Sequence, residues 1–189
     1  PGVALNDGIL EAGSNNFLAA VHFSPGKGGT FKNSQKIGVS FLDISTGEFL
    51  SSEGNAAYVD KLLQNFNPSE VLFSKQKRKL FSKTFGDNFH VFHLEDWVFH
   101  KDYALETLHK HFDTKNLKGF GVDHLEHGTI ASGAALHYLA ETQHNKLKHI
   151  TKIARIAEDQ YVWMDRFTIR NLELYHSHQQ NAVTLLDVI

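Results

Sequence analysis

Lys36–Ser52 reads KIGVSFLDISTGEFLSS, and this stretch decides the fold. Lys36–Ile44 alternates, imperfectly, between apolar and small or polar residues, which predicts a strand. Ser45-Thr46-Gly47 is a tight-turn sequence, and Glu48–Ser52 resumes the strand pattern on its far side. Upstream, Phe17–Phe23 (FLAAVHF) is a short apolar run with strand character, and Pro25-Gly26-Lys27-Gly28-Gly29 supplies the turn between it and Lys36. Strands joined by short turns pair as an antiparallel meander.

Downstream the period changes. Tyr58, Val59, Leu62, Leu63 and Phe66 are spaced as one side of a helix over Ala56–Phe66. Asn67-Pro68 ends it, because the residue before a proline is pushed out of the helical region. Val71–Phe73 reads as a buried strand, Lys77–Phe85 as a helix and Phe89–Leu94 as a further strand. Strands separated by helices need crossovers, and crossovers make parallel pairs. The order β-β-β-α-β-α-β predicts an α/β, RNase H-like fold: a mixed five-stranded sheet with flanking helices. Beyond it, Asp102–Phe112 is predicted helical. Leu117–Val122 is a glycine-broken connection. Leu125–Gln143 is the longest helix, and its small residues Ala131–Ala135 predict close packing on the sheet. Ile150, Ile153 and Ile156 belong to no element that the pattern defines. Tyr161–Met164 reads as extended and Phe167–Tyr175 as the start of a helix. Residues 1–16 read as a turn-rich linker.

Of the 189 residues, 41% are hydrophobic and 21% charged, the balance of a globular domain. The formal net charge of -2 lacks the basic footprint of a domain that grips nucleic-acid phosphates. The local run Lys75–Lys79 (KQKRK) reads as a solvated face. With no cysteine, disulfides and thiolate metal sites are excluded. No apolar run approaches the roughly 20 residues that span a bilayer, so no membrane partner is expected. The chain opens at Pro1 and closes on the apolar segment Val183–Ile189, so both ends read as cuts in a longer protein.

Candidate chemistry is thin. An RNase H-like nuclease needs carboxylates that converge on metal ions. Phe17–Phe23 carries none, and Asp43, beside Ser45 and Thr46, reads as a turn-former that caps nearby amides. Pro25–Thr30 (PGKGGT) resembles a phosphate loop but lacks its spacing and is expected between strands. Eight of the thirteen histidines form close pairs, His90 with His93, His109 with His111, His124 with His127 and His176 with His178. None has the spacing of a zinc site, and they read as surface residues. No catalytic residue, metal ligand or cofactor-binding residue is assigned.

Three stretches resemble the MutS family of DNA mismatch-repair proteins. Pro1-Gly2-Val3 resembles the Pro-Gly-Thr that opens the family's connector, with Val3 departing from the usual Thr. Leu42–Phe49 (LDISTGEF) resembles the connector's strand-turn-strand. Met164-Asp165, Thr168 and Arg170–Leu174 resemble the opening of the family's core. Weaker, colinear similarity covers Asn67–Leu72, Gly119–Val122 and Ala140–Gln143. The resemblance implies a connector domain over 1–160 and, over 161–189, the truncated beginning of an all-α core. It implies a non-catalytic module that links mismatch recognition to the clamp core and ATPase and offers a docking surface for MutL. Mismatched DNA, a MutS homodimer, ATP and magnesium are implied for the full-length protein, in the cytoplasm at the nucleoid. In the family, docking involves the helix after the last sheet strand, here Asp102–Phe112. With Leu105, Leu108 and Phe112 buried, Glu106, Thr107 and Lys110 are the exposed candidates for partner contact. The competing reading is an autonomous RNase H-like nuclease or nucleic-acid-binding domain.

Overall fold

The computed structural model describes residues 16–24, 35–143 and 147–156, and all of them belong to one compact unit. The meander consists of β1 (Phe17–Phe23), β2 (Ile37–Asp43) and β3 (Phe49–Gly54). Then come α1 (Ala56–Phe66), β4 (Glu70–Ser74), α2 (Arg78–Phe85), β5 (Val91–Leu94), α3 (Lys101–Phe112), α4 (Glu126–Gln143) and β6 (Ala154–Arg155). The sheet order is β5-β4-β1-β2-β3-β6. β1 pairs with β2 and β2 with β3 antiparallel, while β1 with β4 and β4 with β5 pair parallel. This is the mixed sheet of an RNase H-like fold. The expected five strands are six, because Ala154–Arg155 adds a parallel edge to β3, extended by a hydrogen bond from Ile156 N to Ser51 O at 2.9 Å.

α1 has the bounds its periodicity predicts, and its ends show why. The Asn55 side chain accepts a hydrogen bond from Tyr58 N at its start, and Asn67, left-handed at φ 42, donates its N–H to Leu63 O at its end. Lys77 begins no α-helix: Lys75–Lys77 is a 3₁₀ turn leading into α2. Residues 1–15, residues 25–34 with the turn expected at Pro25–Gly29, and the stretch from 157 onward, with its extended and helical predictions, lie outside the described residues.

Side chains alternate across a strand, so each face of the sheet builds its own layer. Leu18 and Ala20 of β1 join Leu42, Phe49 and Leu72 in a core with Ala104 and Leu108 of α3 and Ala131, Ala134 and Leu139 of α4. The opposite face is aromatic. Phe41 stacks on Phe66 at 4.3 Å between ring centroids, Phe73 stacks on Phe81 at 4.2 Å, and Phe17 meets both Phe41 and Phe66 edge-on.

α4 is buried almost all round, because it is held between the sheet and α3. The small residues make this possible. A Cβ on Gly38 of β2 would overlap the carbonyl group of His127, and one on Gly133 would lie 2.5 Å from Cα and Cβ of Ala104. The predicted close approach of this helix is therefore made on both sides, to β2 and to α3.

Candidate functional site

Because Ala104 and Leu108 face α4, the flank of α3 is left to form one wall of a groove. The groove has a volume of about 1320 Å³. Tyr103, Glu106, Thr107 and Lys110 line it from α3, and His137 and Glu141 from α4. All the residues named from sequence, Glu106, Thr107 and Lys110, thus share one concave surface. Glu106 and Lys110 are exposed. Thr107 is not: it is half-buried, and its hydroxyl donates to Tyr103 O at 2.8 Å within the helix. Two further expectations need correction. Leu105 and Phe112 are only partly buried, while Ala104, which the apolar periodicity passes over, is fully buried. Ala104 lies against Gly133 of α4, which has no side chain to hold α3 away there.

The head of the groove is aromatic. Tyr103 Oη and His137 Nδ1 are 2.7 Å apart in a hydrogen bond. Trp97 meets both rings edge-on, at 4.8 Å from Tyr103 and 5.3 Å from His137, and its side chain stays 49% exposed. Burial lowers the pKa of His137, against the pull of the Glu141 carboxylate. Glu106 and Glu141 form no ion pair with another described residue.

The sequence profile described as MutS domain II matches residues 16–151. The chain belongs to the MutS domain II family. It is 65% identical over all 189 residues to the DNA mismatch repair protein MutS of Flavobacterium psychrophilum, covering 21% of that protein. It is likewise 65% identical to the MutS of Christiangramia forsetii and 56% identical to that of Bacteroides thetaiotaomicron, again over its whole length and 21% of each relative. The chain spans about one fifth of the length of the curated relatives it matches.

Within this MutS domain II the LDISTGEF stretch is the β2–β3 turn. Asp43 is fully buried, and its Oδ1 accepts from Ser45 N at 2.8 Å and Ser45 Oγ at 2.6 Å. It is the turn-former that its neighbours predict. Among the described residues, no group of His, Asp and Glu is placed to hold a metal ion, and no helix is long and apolar enough to cross a membrane. In the KQKRK run, Lys75 has a loose exposed contact with Glu95 at 3.8 Å.

The histidines of this domain do more than decorate its surface. His111 Nε2 bonds Ile150 O at 2.8 Å, and His149 Nε2 bonds Ile44 O at 2.7 Å, tying the segment before β6 to α3 and to the β2–β3 turn. His22 of β1 and His127 of α4 lie 5.2 Å apart between ring centroids, each with a buried Nδ1 that has no hydrogen-bond partner. Burial, then the neighbouring His127 and Lys77, lower the pKa of His22 to about 3. Burial also lowers that of His127, against Glu53 and Glu126. The first turn of α4 is anchored beside them. His127 N donates to Glu53 Oε2 at 2.9 Å, and Lys36 pairs with Glu53 Oε1 at 2.8 Å. Spacing along the chain could not reveal the pair, since His22 and His127 meet only across the β1–α4 interface.

Proposed function

We propose that this chain is the connector module of a MutS-type mismatch-repair protein and that its α3–α4 groove is the docking surface for MutL. It performs no chemistry itself. It links the mismatch-reading part of the protein to the clamp core and ATPase. Residues 1–160 form the connector and 161–189 begin the core. The membership in the MutS domain II family supports this, as does the similarity over the whole chain to DNA mismatch repair proteins MutS. ATP and magnesium act elsewhere in the full-length protein, which binds mismatched DNA as a homodimer in the nucleoid-associated cytoplasm. The observation that carries the docking reading is the convergence of exposed Glu106 and Lys110 with Glu141 on one groove beside an exposed tryptophan. Asp43 Oδ1 is engaged by Ser45 within its own turn, and only the buried Oδ2 has no hydrogen-bond partner among the described residues, which favours a structural carboxylate over a nuclease ligand.

Hydrogen exchange on the full-length protein, bound to mismatched DNA with ATP, tests the placement. Addition of MutL is expected to slow the amides of residues 103–110 and of the last turns of α4. Unchanged exchange there, with MutL bound, would contradict it.

A further inference from the structure

Trp97 and Val91 are the large hydrophobic residues left exposed among the described residues, and Trp97 is the more exposed at 49%. Its setting is specific. It sits in a 3₁₀ turn between β5 and α3, held edge-on by Tyr103 and His137, which are hydrogen-bonded to each other. The indole is therefore held in place by contacts on its inner side while its outer side meets solvent. One turn further along each wall stands a carboxylate: Glu106 three residues after Tyr103 on α3, and Glu141 four residues after His137 on α4. Neither is paired with another described residue. Beyond them the lining holds two lysines, Lys110 and Lys148, against one further carboxylate, Asp113.

We propose that this head of the groove receives an arginine side chain from a partner protein, and that the Lys110–Lys148 end receives an acidic residue of the same segment. The chemistry selects the occupant. A purely apolar side chain laid from Trp97 past Tyr103 and His137 into the groove would desolvate Glu106 and Glu141 without compensating them. A guanidinium is attracted to the indole face, is weakly hydrated, and donates in a planar fork that matches a carboxylate. Lys110 and Lys148 outnumber Asp113 and disfavour a second cation, so the charge pattern also favours one direction for the segment. The inference rests on the reading of the groove as a partner surface and adds the side chain that it selects.

The test uses the 189-residue chain, labelled with ¹⁵N, and follows the Trp97 indole N–H during titration with N-acetylarginine methylamide. The neutral, planar isostere N-acetylcitrulline methylamide is the control. A saturable shift is expected with arginine. It should be about fivefold weaker with citrulline and about fivefold weaker in Glu141→Gln, the scale of one partly exposed ion pair. Equal response to the two probes, or none at Trp97, overturns the arginine site. In parallel, MutL recruitment by the full-length protein is measured for Glu141→Gln and for Glu106→Ala with Thr107→Ala. If the Glu106/Thr107 pair weakens recruitment and Glu141→Gln does not, the docking surface stands and the arginine site falls. If arginine binds as expected but neither change affects recruitment, the arginine site stands and the assignment of MutL to the groove falls.

Discussion

Gly38 of β2 lies so close to the carbonyl group of His127 that a Cβ at position 38 would overlap it, and would lie 2.5 Å from the backbone N of Gly128. What such a Cβ would meet is backbone at the first turn of α4, which cannot swing away as a flexible side chain does. Gly38→Ala is therefore expected to lift this end of the helix and to break the hydrogen bond from His127 N to Glu53. Overpacking of a well-packed site costs about 1–3 kcal/mol and sometimes more. The upper end of that range is expected in urea unfolding, and a loss below about 1 kcal/mol would contradict the close approach.

Gly133 makes the matching contact on the other side of α4. An alanine there gains helix propensity of about 1 kcal/mol. It also places a methyl 2.5 Å from Cα and Cβ of Ala104, on the backbone of α3. Net destabilisation is expected, with α3 displaced and the Tyr103–His137 hydrogen bond weakened. A stabilised Gly133→Ala protein would show that α3 does not pack on α4 at this point.

The His22–His127 pair sets a pH dependence. Both pKa values are lowered in the folded chain, chiefly by burial. The unfolded chain then binds more protons at mildly acidic pH, so folding stability is full above the unfolded value near 6.5 and falls as pH drops below it. For His22 the fall continues to about pH 3, with a slope approaching about 1.4 kcal/mol per pH unit. Unfolding free energies measured from pH 7 to pH 5 should show this decline, and His22→Leu should flatten it. An unchanged slope in the variant would mean that other groups carry the effect.

The two kinds of sequence signal differed in reach. The end of α1 was legible because Asn67-Pro68 is a local signal that acts within a turn of the helix. β6 was not, since its two residues form a strand only by pairing with Leu50 and Ser51, about a hundred positions earlier. In α3, apolar spacing identified Leu108 but overlooked Ala104, because a small residue acquires its importance from the glycine opposite. The groove residues Glu106 and Lys110 followed from resemblance and helical geometry. Trp97, packed against the groove residues Tyr103 and His137, was hidden in the apolar run Trp97-Val98-Phe99, where only the last two are buried. His22 and His127 lie on elements far apart in sequence, so no spacing rule could pair them.

Docking of MutL on the α3–α4 groove is tested most directly by changing its exposed wall and leaving the fold alone. Glu106 and Lys110 are exposed, and the Thr107 hydroxyl bonds only within its own helix, so their replacement leaves the core intact. The measurement is MutL recruitment to mismatched DNA, with ATP, by the full-length protein carrying Glu106→Ala, Thr107→Ala and Lys110→Ala together. Mismatch binding should be unchanged and recruitment reduced about tenfold or more, the effect of removing contacts worth about 1.4 kcal/mol. Full recruitment with mismatch binding intact would contradict the assignment of this groove to MutL.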